Sequence, residues 1–235
     1  MRIPKEWNKT SYKKFQDELH SLEDIKYKEF NFKIIFTNYK EIGIRMPILR
    51  DIAKKISNGD FRSFLGIVEC LYYEEVMIEG LVITNIKDLD IALFYFEKYI
   101  EKIDNWALCD YVIANMKIIK KHKKIFFKKI KKYVKSKNEY IVRVGLVMLL
   151  NYYIDEEHID TIFKICNNIK KDTYYVNMAI SWLISECFVK EKKETIEFLK
   201  CNRLNDFTQN KAISKIRDSL RVSALDKMYV LDFKR

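Results

Sequence analysis

One carboxylate and one guanidinium stand out because almost nothing around them is charged. In NWALCDYVIANM (105–116) Asp110 is the sole charged residue, and in YIVRVGLVMLLNYYI (140–154) it is Arg143. The uncharged stretch TYYVNMAISWLIS (173–185) carries Trp182, and Trp106 precedes Asp110 by four positions. A lone charge on an apolar helix is costly unless it is paired or faces a polar cavity. Asp110 and Arg143 are therefore expected either to pair with each other or both to face a groove. Residues four apart share a helix face, so Trp106 and Asp110 look the same way. An indole face attracts cations, and two indoles flanking a carboxylate suit a positively charged group. A guanidinium beside them suits a phosphate, which it holds with bidentate charge-assisted hydrogen bonds. A cationic group next to a phosphate inside DNA is an N-alkylated purine nucleotide.

The elements that must position these residues are helical. The chain has only 5 Gly and 2 Pro in 235 residues, which argues for helices joined by short loops. Apolar residues recur at helical spacing throughout, which predicts about a dozen helices of roughly 10–16 residues and no strands. Tyr12, Phe15, Leu19 and Leu22 form the first stripe, with Thr10 or Ser11 as N-cap. Phe30, Ile34 and Ile35 lie on the next. Pro47 opens a helix carrying Leu49, Ile52, Ala53 and Ile56, which Asn58-Gly59 closes. Asp60, Asp88, Asp104, Asp155 and Asp172 each precede an apolar-periodic segment as N-caps do.

Amphipathic helices alternate with nearly uncharged ones at 76–86, 105–116, 140–154 and 173–185. A helix apolar on all sides is buried on most of them, as in a stack of helix pairs. EEVMIEGLVITNI, EYIVRVGLVMLLN and YYVNMAISWLISE can be superposed with Gly80, Gly145 and Ala179 in register, small residues that let helices approach closely. Trp106 to Arg143 spans 37 residues and Arg143 to Trp182 spans 39. Both lie near the ~40-residue period of HEAT-like repeats. No linker composition interrupts the chain, so 1–235 is expected to form a single helical-repeat domain, an α-α superhelix with a concave face. In such a stack the four residues would line up along three adjacent helices of that face.

Hydrophobic residues make up 49% and charged residues 33%, as in a soluble globular protein. No apolar run reaches a membrane span, and MRIPKEWNKTSYKKF lacks a signal-peptide apolar core. A cytoplasmic protein is expected. Cys70, Cys109, Cys166, Cys187 and Cys201 are scattered, as are His20, His122 and His158. Reduced, mostly buried thiols and no zinc site follow. The net charge of +11 is local, because residues 117–137 hold 11 lysines and no acid. That block is either a polyanion-binding surface or a solvated helix face. Its Ile119, Phe126, Ile130 and Tyr133 read as a buried stripe that turns the lysines outward. Trp7 reads as packing for the N-terminal segment, and the adjacent acids Glu74-Glu75 and Glu156-Glu157 as solvated. No phosphate-binding glycine loop, G-x-S-x-G or H-E-x-x-H is present.

Trp106 and Asp110 in DNWALCD, Arg143 in EYIVRVG, Trp182 in YYVNMAISWLIS, and the segment IGIRMPILRDIAKKI together resemble AlkD-type DNA alkylation repair enzymes. These are DNA glycosylases built of HEAT-like helical repeats. The resemblance covers nearly the whole chain. It implies excision of cationic alkylpurines such as 3-methyladenine and 7-methylguanine from duplex DNA without flipping the base into a pocket, unlike base-extruding glycosylases. It implies Asp110 as the catalytic carboxylate, Trp106 and Trp182 as lesion-binding indoles, and Arg143 as the phosphate grip. No metal or cofactor is implied. The partner is alkylated double-stranded DNA, the protein a monomer associated with the nucleoid, and no membrane is involved. Lys211, Lys215, Arg217 and Arg221 are the candidate contacts to the DNA backbone.

Taken singly, each tryptophan could be core and the two charges a structural ion pair; together, in this frame, they point to function. Two other functions compete with base excision. A HEAT-like protein that only binds branched or distorted DNA would show salt-sensitive affinity and no base release. A protein–protein scaffold would show no DNA affinity at moderate salt.

Overall fold

Side-chain caps set where many of the helices begin, Asn8, Asp60, Asp88 and Asn105 among them. A computed structural model describes residues 3–235, and these form fifteen α-helices and two short 3-10 helices. The fold is all-α: among the described residues the only strand-like pairing is an isolated parallel bridge between Lys40 and Tyr72. No helix of the described residues is long and apolar enough to cross a membrane. The chain divides into two compact units, Met1–Lys121 and His122–Arg235.

The first unit holds α1 (Lys9–His20), α2 (Ile25–Phe32), α3 (Met46–Ser57), α4 (Phe61–Ile67), α5 (Tyr73–Thr84), α6 (Leu89–Tyr99), α7 (Trp106–Asn115) and α8 (Ile118–Lys121). Its centre is α5, buried without a break from Tyr73 through Ile83 and packed on α3, α6 and α7. Pro47 does lie in the first turn of α3, and Asn58 caps its end. Asp60 and Asp88 cap α4 and α6 through side-chain bonds to the amides of Ser63 and Ile91. The cap of α1 is Asn8 rather than Thr10 or Ser11, and Ser11 completes a reciprocal capping box with it. The second apolar stripe does not form. Phe30 is exposed on α2, and Ile34 lies beyond the helix and is exposed as well. Only Ile35 of that set is buried. Trp7 packs edge-on against Phe15, 5.2 Å between ring centres, and against Phe64 at 4.9 Å.

The acids of α5 are a correction to the sequence expectation. Glu74 and Glu75 are buried, not solvated, and so is Glu79. Adjacent helix residues point in different directions, but here both directions are covered. Glu74 accepts the backbone N–H groups of Ile42, Gly43 and Ile44 at 3.0, 2.7 and 3.2 Å. Glu75 accepts from the Tyr12 hydroxyl at 2.6 Å, Gln16 Nε2 at 2.9 Å, and the amides of Leu71 and Tyr72 at 2.8 and 3.0 Å. Burial, and the hydrogen bond donated to Glu75, hold the Tyr12 phenol far above its usual range. Glu79 binds Lys102 Nζ through both carboxylate oxygens at 2.7 Å. Three carboxylates thus tie α5 to α1, to the 42–44 segment and to the residues before α7.

Gly80 sits where α5 meets two neighbours. A Cβ there would lie 2.5 Å from Val112 Cγ2 and 2.6 Å from Tyr99 Cζ. Tyr99 cannot swing away, because it is fully buried and its hydroxyl donates to the Leu108 carbonyl at 2.9 Å. Gly80→Ala is expected to lower stability by about 1–3 kcal/mol, the usual cost of overpacking. Gly66→Ala, on the open side of α4 with nothing within 4 Å, is expected to be neutral or stabilising. Urea unfolding midpoints of the two variants check this, and equal midpoints would contradict it.

The second unit holds α9 (Lys123–Tyr133), α10 (Glu139–Tyr152), α11 (Ile159–Asn168), α12 (Tyr174–Lys190), α13 (Lys192–Lys200), α14 (Asp206–Asp218) and α15 (Ala224–Tyr229). Here α10 is buried from Ile141 through Leu150, and α12 packs on α10, α13 and α14. Gly145 repeats the role of Gly80, since a Cβ there would meet Val134 Cγ1 at 2.8 Å. On α9, Phe126, Ile130 and Tyr133 face inward while Lys124, Lys128, Lys131 and Lys132 face outward, as the stripe predicted. Glu156 and Glu157 are exposed. Three of the predicted caps shift. Asn105 and Thr173 cap α7 and α12 in place of Asp104 and Asp172, and α11 begins after His158, whose amide Asp155 accepts at 3.1 Å.

Candidate functional site

Trp106 and Asp110 belong to the first unit, Arg143 and Trp182 to the second. Trp106 is the first residue of α7, placed there by its N-cap Asn105, whose side chain accepts the amides of Ala107 and Leu108 at 3.0 Å. The indole is half-buried, and its Nε1 donates to the Ile34 carbonyl at 3.1 Å. The loop that offers this carbonyl is itself pinned. Asp104 accepts from Thr37 Oγ1 at 2.9 Å and from the Asn38 amide at 2.6 Å, and Tyr39 donates to the Lys102 carbonyl at 2.8 Å. The ring is therefore fixed by one edge. Asp110 follows one turn later on the same face and is half-buried as well. Around them Ala107, Leu108, Cys109, Val112 and Ile113 are buried, so the carboxylate and the indole sit at the margin of an apolar helix.

In the second unit Arg143 is 5% exposed on α10, and its Nη1 donates to the Tyr175 carbonyl at 2.8 Å. Trp182 lies in the middle of α12, half-buried, on the helix packed directly against α10. Neither Trp106 nor Trp182 has an aromatic or cationic side chain stacked on its ring among the described residues. Lys211 and Lys215, one turn apart on α14, share the neighbourhood of Arg143. Burial first, then the charges of Lys211 and Arg143, hold the Lys215 ammonium below its usual range. Lys211, Lys215 and Arg143, carried on two helices that both pack on α12, thus lie near enough for their charges to act on one another. Arg217 is exposed two residues further on, on the other side of the helix. Arg221 lies past the end of α14 and pairs with Glu186 of α12, one turn beyond Trp182.

The sequence also hid a regularity at the helix starts. Behind Asn138, Thr173 and Asn205, the N-caps of α10, α12 and α14, stand Tyr140, Tyr174-Tyr175 and Phe207. The pattern of a cap followed within two residues by an aromatic was the available signal. Among the described residues no group of three or more His, Cys, Asp or Glu is arranged to hold a metal ion.

The sequence profile of a known family, DNA alkylation repair enzyme, matches residues 15–216. The chain belongs to the DNA alkylation repair enzyme family. The match takes in all four candidate residues, most of both units, and the helices from the second half of α1 to the greater part of α14. A search of curated proteins returns no match. Family membership assigns the chain to alkylation repair and so to DNA.

Proposed function

We propose that this member of the DNA alkylation repair enzyme family is a monofunctional glycosylase of the AlkD type, built of HEAT-like repeats, and that it excises cationic N-alkylated purines from duplex DNA. The pair Trp106–Asp110 carries this reading. A half-buried carboxylate on a helix with no other charge stands one turn from an indole whose ring, among the described residues, faces no cation or aromatic side chain. Alkylation at N3 or N7 makes the purine cationic, so the bond from C1′ to the base is already weak and no strong general acid is needed. That bond breaks with its electron pair going to the base, which leaves neutral. The sugar becomes oxocarbenium-like, and a negative charge held beside it lowers the barrier. Asp110 supplies that charge and orients the water that bonds to C1′ and then gives up a proton. Trp106 and Trp182 hold the deoxyribose and the cationic base, and Arg143 with Lys215 and Lys211 takes the phosphate. The base stays out of any enclosing pocket. The enzyme acts as a monomer on the nucleoid and uses no metal or cofactor.

Methylated duplex DNA provides the test. The protein is expected to release 3-methyladenine and 7-methylguanine well above the enzyme-free rate, while neutral O6-methylguanine stays in the DNA. DNA binding at moderate salt with no base released would assign the chain to lesion or branch recognition instead. No binding at all would point to a scaffold.

A further inference from the structure

We infer that the second unit carries an aromatic shelf at the starts of α10, α12 and α14 that stacks a base unpaired from the duplex. Four rings form a connected row across the three helices. Tyr140 lies 5.6 Å from Tyr175, Tyr175 lies 5.3 Å from Tyr174, and Tyr174 lies 6.2 Å from Phe207, between ring centres. The two at one end of the row are open to solvent, Tyr174 at 59% and Phe207 at 46%, while Tyr140 and Tyr175 are half-buried. Isolated exposed aromatics are ordinary, but two exposed rings on neighbouring helices, joined through half-buried rings to a third helix, are not what a solvated edge needs. Nor does the fold require these rings, because the cores of α10 and α12 are filled from Ile141 and Val176 onward.

Placement selects the occupant. Arg143 stands one turn after Tyr140, and the carbonyl it binds belongs to Tyr175. The shelf therefore adjoins the cluster of Arg143, Lys211 and Lys215. Flat apolar rings next to gathered cations match a nucleotide, whose base has a π-face and whose phosphate is an anion. Proteins that hold unpaired bases combine these two features, and stacking is indifferent to which base is present. A paired base has both faces covered by its neighbours, so the shelf selects bases that have left the stack. In an excision enzyme that does not pocket the lesion, such a base is the one that loses its partner opposite the lesion. The shelf thus deepens the proposed function, since it presupposes a DNA substrate.

The test compares binding to a fully paired duplex with binding to the same duplex carrying one extra unpaired nucleotide, by fluorescence anisotropy. Wild type is expected to bind the bulged duplex about tenfold more tightly, the effect of one stacked base. Tyr174→Ala combined with Phe207→Ala is expected to bring that ratio to about one and to leave affinity for the paired duplex unchanged. Tyr174→Phe is expected to retain the preference. Both alanine positions are exposed, so folding is not at stake, and circular dichroism confirms it. 2-Aminopurine as the extra nucleotide is expected to be quenched by wild type and not by the double variant. A preference that survives the double alanine change, or a paired-duplex affinity that falls equally, overturns the shelf. So does a wild-type dimer in light scattering that the double change dissolves, because the rings would then face a second copy. A wild type that shows the preference but releases no methylated base keeps the shelf and removes the glycosylase assignment. A wild type that binds no DNA removes both.

Discussion

Asp110→Asn is expected to slow base release by at least about 100-fold while leaving DNA binding intact or tighter. The size follows from what the carboxylate does. A preorganised group aimed at charge that develops in the transition state contributes roughly 10²–10³ in rate, and positioning of the attacking water adds to it. Asn matches Asp in size and shape, so α7 and the Trp106 indole one turn away keep their packing. What disappears is a negative charge. Undamaged DNA is a polyanion, so losing that charge cannot weaken the complex with an undamaged duplex electrostatically. The signature is therefore a fall in the single-turnover rate with Kd for undamaged duplex unchanged or lower. A variant that loses binding and release in parallel would make Asp110 a structural residue. Wild-type rates in the variant would remove it from the chemistry.

The second large effect is on stability, at Glu75. Its two oxygens accept from the Tyr12 hydroxyl, Gln16 Nε2 and the amides of Leu71 and Tyr72, and the residue is wholly buried. Glu75→Ala leaves four donors without their acceptor, and two of them, the Tyr12 hydroxyl and Gln16 Nε2, are buried. Each such donor costs about 1–3 kcal/mol, and the costs overlap because the surroundings relax. A net loss of about 3–5 kcal/mol is expected, a large share of the 5–15 kcal/mol that holds a typical domain together. Glu75→Gln is expected to lose less, since the amide oxygen still serves some of the donors while its NH₂ faces others. Urea titration followed by circular dichroism reads both variants. A Glu75→Ala midpoint within experimental scatter of wild type would show that the network adds nothing net.

Much of this architecture was legible because it depends on local signals. Pro47 and Asn58 bracket α3, and near-absence of charge marks α7, α10, most of α12 and the later part of α5 as helices buried on most sides. Gly80 and Gly145 fall in register because each faces a neighbour that leaves no room for a methyl group. What was not legible depends on contacts far apart in the chain. Glu74 and Glu75 look like a solvated acidic pair until residues 42–44 and α1 close over them. Asp104 and Asp155 resemble caps, but Asp104 is taken by Thr37 and Asn38, and Asp155 binds the His158 amide before the helix starts. Phe30 and Ile34 have the right period but no partner surface reaches them.

The candidate residues show the same division. The types and spacing of Trp106, Asp110, Arg143 and Trp182 could be read from the sequence, because a lone charge on an apolar helix announces itself. The depth of Arg143 could not, nor could the capture of Arg221 by Glu186, which depends on how the turn after α14 meets α12. The aromatic row at the helix starts was hidden for a similar reason. Tyr140, Tyr174, Tyr175 and Phe207 belong to three helices, and only packing makes them one surface.

The most direct measurement is single-turnover release of base from a duplex containing one 7-methylguanine, with enzyme in excess, followed by alkali to reveal abasic sites. Strand breaks at the lesion position that form far faster than in an enzyme-free duplex, and only after alkali, are the result expected of a monofunctional glycosylase for cationic purines. Breaks that accumulate at the enzyme-free rate, with the protein demonstrably bound to the duplex, would contradict it.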